Sequence, residues 1–255
     1  MSALLAVAGI EKKFGGVAAL SGCTLSIGEG RIAGLIGPNG AGKTTLLSII
    51  SGALSPDKGT VVFGGIDVSR LPPHRRAAIG LVRTFQIARE LGNLTVFENV
   101  VLAGSSRDEE AVHRALFARR DLGASQALVC ERAENILRRA GLWHVADNLA
   151  SDLSGGQKKL LELARALMLR PKLVLLDEPA AGVAPPLIKS LIAFIKELAA
   201  EGITFGIVEH DMHLIASLCD EVHVLAEGRL LVSGTFDQVS RDKRVVDAYL
   251  GRGAA

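Results

Sequence analysis

The chain has 255 residues, 49% of them apolar and 22% charged, with 29 Lys and Arg against 27 Asp and Glu, so its formal charge is only +2. At roughly 100–200 residues per domain this reads as one large domain or a core carrying a subdomain, with ample apolar content for packing. Near-neutrality argues against a dedicated nucleic-acid binder, which carries a basic stripe, and the scattered Cys23, Cys130 and Cys219 offer neither a paired metal spacing nor an even disulfide framework. No run reaches the roughly 18 apolar residues of a membrane span. The apolar start, residues 3–10, stops at Glu11-Lys12-Lys13 and reads as a buried strand rather than a signal peptide.

In chain order, short apolar runs between glycine turns predict strands at 4–10, 24–27, 31–36 and 60–63. The third runs into a glycine loop, and residues 43–50 after it have helical character. From Thr95 to about Asp147 the texture becomes polar and helical. Val129, Ala133, Ile136, Leu137 and Ala140 recur there at one-face spacing, and seven arginines balance six acids over residues 107–139. Alternation then returns, with helices over about 157–169 and 186–200 and strands at 173–176, 203–208 and 221–225. Such β and α units imply a mostly parallel sheet covered by helices. The expected organisation is one domain over 1–255: a β-rich core carrying the glycine loop at 1–94, a helical insertion at 95–152, a core return at 153–240, and a C-terminal helix and tail at 241–255.

Gly37-Pro38-Asn39-Gly40-Ala41-Gly42-Lys43-Thr44 fits G-x-x-x-x-G-K-[ST], with a strand before it and a helix after it. Its glycines let backbone N–H groups curl around phosphate oxygens, and the helix N-terminus adds partial positive charge. Lys43 would reach the outer phosphates, Thr44 would hold Mg2+, and Thr45 joins the nucleotide-binding set. The apolar run Leu173-Val174-Leu175-Leu176 ends in Asp177 and Glu178. Asp177 is expected to coordinate Mg2+, and Glu178 to orient and deprotonate a water for in-line attack on a γ-phosphate. An Asp-Glu pair after a strand is by itself an ordinary edge; the phosphate loop gives it a chemical role. Leu153-Ser154-Gly155-Gly156-Gln157 precedes an amphipathic helix whose buried side is marked by Leu160, Leu161, Ala164 and Leu167. Alone, Ser-Gly-Gly is a cap and turn. It also sets a hydroxyl and bare backbone donors at a helix N-terminus, which suits a γ-phosphate.

Together the three motifs resemble the ATP-binding cassette (ABC) ATPases. The resemblance implies an α/β fold: a P-loop NTPase core with a mostly parallel sheet, an N-terminal antiparallel β subdomain and a helical insertion subdomain. It implies an Mg2+-dependent ATPase using ATP. Carried over residue by residue, it makes Gln86, in Arg83-Thr84-Phe85-Gln86, the residue that senses Mg2+ and links to a membrane partner. Phe14 becomes the aromatic that stacks on adenine, and His210, in Val208-Glu209-His210-Asp211, the contact to the γ-phosphate. It also implies a head-to-tail dimer in which Ser154, Gly155, Gly156 and Gln157 of one subunit complete the phosphate loop of another. One position departs from the pattern: Ala184 stands where the family commonly carries Asp or Asn, in a loop that crosses between subunits, which is expected to weaken coupling between the nucleotide sites.

Within that family the chain is most similar to the larger ATPase subunits of branched-chain and hydrophobic amino-acid importers. The marks are Phe14-Gly15-Gly16, the stretch from Arg83 to Leu91 with that from Leu94 to Val100, Asp177-Glu178-Pro179-Ala180-Ala181-Gly182, Val208-Glu209-His210-Asp211-Met212, and Asp247-Ala248-Tyr249-Leu250-Gly251. Systems importing urea, amides or aromatic acids, and lipopolysaccharide exporters, share many of them. Soluble cassette ATPases usually carry two cassettes, coiled coils or basic extensions, none of which is present here. The implied partners are two integral membrane permeases, a second ATPase subunit (an identical chain or a paralogue) and, indirectly, a periplasmic binding protein. The implied place is peripheral, on the cytoplasmic face of the inner membrane, with no nucleic-acid partner.

Overall fold

The computed structural model describes residues 3–84, 91–105 and 121–250. Its first strand, β1 (Ala3–Phe14), continues well past residue 10 and pairs antiparallel with β2 (Val17–Gly28) to the last residue, Phe14 opposite Val17. Ladder hydrogen bonds do not depend on side-chain polarity, and the charges in the extension are matched by Lys12–Asp57 at 2.7 Å and Lys58–Glu11 at 3.1 Å. With β4 (Lys58–Phe63) and β5 (Ile66–Asp67) these strands form an antiparallel sheet in the order β2-β1-β4-β5.

The second sheet contains β3 (Ile32–Ile36), β6 (Leu81–Arg83), β7 (Leu173–Asp177), β8 (Thr204–Val208), β9 (Glu221–Ala226) and β10 (Arg229–Gly234), ordered β10-β9-β3-β8-β7-β6. All neighbours are parallel except β10 on β9. β3, β7 and β8 are buried at every residue, as expected of central parallel strands covered on both faces. Helix α1 (Lys43–Ile50) contributes Leu46, Leu47, Ile49 and Ile50 to a core shared with Leu5, Ile10, Phe63, Leu175 and Leu225. The C-terminal carbonyls of α1 meet a buried cation. Arg76, on α2 (Pro73–Ala78) and only 1% exposed, donates from Nη1 to the oxygens of Ile49 and Ile50 at 2.6 Å each, the favourable end of a helix dipole for positive charge.

Both sheets belong to one compact unit, Met1–Gln86, Lys172–Pro179 and Lys196–Ala255; the other comprises Ile87–Pro171 and Ala180–Ile195. In the second unit α3 (Val96–Ser105) packs on α4 (Asp121–Arg139) and on α5 (Gly155–Met168). Ala133, Ile136, Leu137 and Ala140 are buried, with Val129 half-buried at the margin. Leu160, Leu161, Ala164 and Leu167 form the buried side of α5. This helical unit is larger than a 95–152 insertion, because α5 presents its apolar face to α3 and α4. It also holds most of α6 (Pro185–Ala200). Among the described residues no helix is long and apolar enough to cross a membrane.

Three further helices, α7 (Met212–Leu218), α8 (Phe236–Ser240) and α9 (Lys243–Leu250), complete the first unit. Of these, only the C-terminal one is expected from the sequence. With β5, β6, β10 and α2, the other two are short elements of two to seven residues that no predicted element covers.

Candidate functional site

The glycine loop leaves the C-terminal end of β3 and enters α1 at Gly42, which takes a left-handed conformation at φ 99°. No side chain caps this helix, and its first turn carries no acid, so the positive end of its dipole is not offset locally. The loop is hemmed by main chain: a Cβ at Gly37 would overlap the Leu225 carbonyl oxygen, and one at Gly42 would lie 2.5 Å from that of Ala19. Ala41 is buried and its N–H donates to the Pro38 oxygen at 3.2 Å, while Asn39 and Gly40 are exposed at the tip. Lys43 folds back over the loop, Nζ donating to the carbonyls of Gly37 at 2.8 Å and Pro38 at 3.0 Å. Burial lowers the Lys43 pKa, and the negative charges of Glu178 and Asp177 oppose that shift. Thr44 is exposed and Thr45 half-buried in the first helical turn. Tyr249 on α9 reaches this loop as well: burial raises its pKa, and a hydrogen bond from the Gly37 backbone opposes the rise.

The two acids stand at the end of β7. Asp177 is 2% exposed, and its Oδ2 accepts a hydrogen bond from Arg83 Nη2 at 2.9 Å. Glu178 has φ 49°, a strained conformation for a residue with a Cβ, and its N–H donates to the Val208 oxygen at 2.9 Å. After β8, Glu209 is 1% exposed, and its carboxylate accepts the N–H groups of His210 at 3.0 Å and Asp211 at 3.5 Å. That holds the loop presenting His210, whose side chain is 69% exposed with Nδ1 3.8 Å from Glu178 Oε1. Asp211 caps α7, accepting from the N–H groups of His213 and Leu214. The glycine loop, the His210 turn and the Asp177-Glu178 pair thus leave the C-terminal ends of three adjacent parallel strands, β3, β8 and β7. Open α/β sheets bind ligands at this edge. Phe14, at the end of β1, is 51% exposed with Lys12 Nζ 5.9 Å from its ring centre. Gln86 lies outside the described residues.

Sequence reasoning missed Arg83 and Glu209. A charged residue ending the short apolar run Leu81-Val82, and another directly after the buried β8, were the available signals.

In the helical unit, Ser154 and Gln157 form a reciprocal cap on α5: Ser154 Oγ accepts from the Gln157 N–H at 3.4 Å, and the Ser154 N–H donates to Gln157 Oε1 at 2.9 Å. The serine oxygen is engaged as an acceptor, which leaves its O–H free to donate. Ser154 and Gly155 are exposed, whereas Gly156 is buried against Val183 and Leu187. The loop at 180–184 ends in Ala184, whose carbonyl accepts from the N–H groups of Leu187 at 2.9 Å and Ile188 at 3.1 Å. Ala184 is therefore the N-cap of α6, followed by Pro185 and Pro186, and has no side-chain acceptor. Ala184→Asp is expected to add about 1 kcal/mol of stability, or about 2–4 °C for a chain of this size. Thermal denaturation checks this; an unchanged midpoint would mean that the carboxylate does not reach the Leu187 N–H.

Among the described residues no three His, Cys, Asp or Glu side chains gather into a metal cage. A threonine hydroxyl and a single carboxylate are hard oxygen donors, which suit Mg2+ that a nucleotide's phosphates help to hold.

A family model described as ABC transporter matches residues 20–181, and one described as branched-chain amino acid ATP-binding cassette transporter matches residues 229–255. The chain is 39% identical to a probable branched-chain amino acid transport ATP-binding protein of Archaeoglobus fulgidus, over 97% of its own length and 95% of the relative's. It resembles the crystal structure of an ATP-binding cassette of an ABC transporter in its ADP conformation, with a TM-score of 0.84 and 35% identity over 98% of this chain and all of that one. A dimeric ATP-binding cassette in a post-hydrolysis state, bound to ADP and Pi, superposes with a TM-score of 0.76 and 26% identity, covering 91% and 98% of the two chains.

Proposed function

The chain belongs to the ABC transporter family of ATP-binding proteins, and from that premise we propose that it is the ATP-hydrolysing subunit of an importer for branched-chain or other hydrophobic amino acids. One observation carries the chemistry: Lys43, His210 and the Asp177-Glu178 pair converge from the C-terminal ends of β3, β8 and β7.

In this reading the N–H groups of residues 40–45 and the Lys43 ammonium hold the nucleotide's phosphates, exchanging the present carbonyl partners of Lys43 for phosphate oxygens. Thr44 and Asp177, with Gln86, hold the Mg2+ that accompanies the nucleotide. When bound, that cation would supply charge neutralisation to the nucleotide's phosphates. Glu178 takes the proton from the attacking water, and His210 contacts the γ-phosphate. Phe14 offers its exposed face to the adenine. Ser154, Gly155, Gly156 and Gln157 of a second copy, or of a paralogue, complete the site, an arrangement supported by the dimeric relative with ADP and Pi. All of this works as one ATPase domain, docked on two permease subunits at the cytoplasmic face of the inner membrane and fed by a periplasmic binding protein.

Affinity purification of the tagged protein from mild-detergent extracts of its own host tests the assembly. The expected result is recovery of two permeases and a second ATPase subunit. Recovery of lipid-export proteins would replace import with export, and recovery of ribosomes or DNA without any membrane protein would overturn the transporter reading.

A further inference from the structure

Arg83 ends β6 with its side chain largely buried, and its guanidinium lies between the two motifs. Nη2 donates to Asp177 Oδ2 at 2.9 Å, and Nη1 donates to Ser48 Oγ at 3.0 Å and Ser51 Oγ at 3.4 Å. Ser48 Oγ in turn donates to the Thr44 carbonyl at 2.7 Å. A continuous relay therefore runs from the backbone of Thr44, through Ser48 and Arg83, to the carboxylate of Asp177. Its two ends are the residues that the proposed function assigns to the metal.

We propose that Arg83 is a positioning residue: its guanidinium fork sets the separation and orientation of Thr44 and Asp177 so that both meet the cation of a metal–nucleotide complex. This inference rests on the functional reading given above. The geometry explains why a cation stands beside an acid assigned to another cation. Arg83 holds Oδ2 and so fixes the orientation in which the carboxylate meets the metal. A planar fork holds an acid and two hydroxyls in one fixed geometry, whereas an ammonium on a flexible stem holds its partners without that rigidity.

Two bland alternatives make different predictions. If Arg83 merely neutralised a buried acid, Arg83→Lys would preserve its role. If it merely packed, its loss would lower stability and leave metal affinity unchanged.

The test uses the full chain and Mn2+ as a spectroscopic stand-in for Mg2+, with binding to the protein–ADP complex read by electron paramagnetic resonance. Affinity for a fluorescent ATP analogue in EDTA is measured alongside. Removing partners that orient metal ligands costs about 10–100-fold in metal affinity, and that loss is expected for both Arg83→Gln and Arg83→Lys. Metal-free nucleotide affinity should stay within about twofold of wild type, because the phosphate contacts are untouched. Ser48→Ala, which retains the arginine and breaks the relay, should shift Mn2+ affinity in the same direction by less; it also carries the test if Arg83→Gln fails to fold. Wild-type Mn2+ affinity in Arg83→Lys overturns the proposal while leaving the ATPase reading standing. Failure of the wild-type protein to bind nucleotide at all overturns both.

Discussion

Glu178→Gln lowers the rate of ATP hydrolysis by about 10²–10⁴-fold, the usual contribution of a positioned general base, and leaves MgATP affinity close to wild type. At 1.36 kcal/mol per tenfold that is about 3–5 kcal/mol of barrier. The substitution is nearly isosteric and removes only the ability to accept the proton. The backbone bond from the Glu178 N–H to the Val208 oxygen does not involve the side chain, so the φ of 49° is retained. Phosphate release under single-turnover conditions, measured beside fluorescent-nucleotide binding, separates chemistry from affinity. Hydrolysis at the wild-type rate would remove Glu178 as the base and turn attention to His210, whose Nδ1 lies 3.8 Å from its carboxylate.

Lys43→Ala acts one step earlier, on binding. Charge-assisted hydrogen bonds are worth about 1.5–3 kcal/mol, so nucleotide affinity should fall about ten- to hundredfold. Lys43 Nζ bridges the Gly37 and Pro38 carbonyls, and the variant also loses those two contacts within the loop. Calorimetric titration with ADP gives the affinity, and a melting curve gives the loop's share of stability. An unchanged affinity would mean that the phosphates lie elsewhere than on this loop. The two variants therefore fail in distinguishable ways, one binding without turning over and the other binding poorly.

Much of this site is legible before any fold is known, because its chemistry is local. Gly37 to Thr44 are consecutive, and β3 before them and α1 after them are bounded where the apolar pattern changes. Asp177 and Glu178 end a run whose burial is complete, as its composition implies. What stays hidden depends on residues far apart in sequence. Arg83 and Asp177 are separated by 94 positions, and no periodicity announces their pairing. Nothing in the sequence around Arg76 marks it as buried; its place follows from the distant carbonyls of Ile49 and Ile50. The last third of β1 is likewise invisible, since Glu11, Lys12 and Lys13 take their strand conformation from β2 across the ladder. Inside the helical unit, the cap formed by Ser154 and Gln157 follows from their spacing, whereas α5 joining α3 and α4 is decided by packing.

The carbonyl oxygens of Leu225 and Ala19 leave no room for a side chain at Gly37 or Gly42. Those glycines are thus required by the architecture whether or not a phosphate ever arrives. A descendant that lost its catalytic role would still have to keep them to close the loop against its neighbours, so the glycine motif would persist as a relic. Glu178 is under the opposite pressure, since its left-handed backbone would be relieved by glycine once hydrolysis was no longer selected. In sorting working ATPases from silent copies of this fold, the residue after Asp177 is therefore the more informative position.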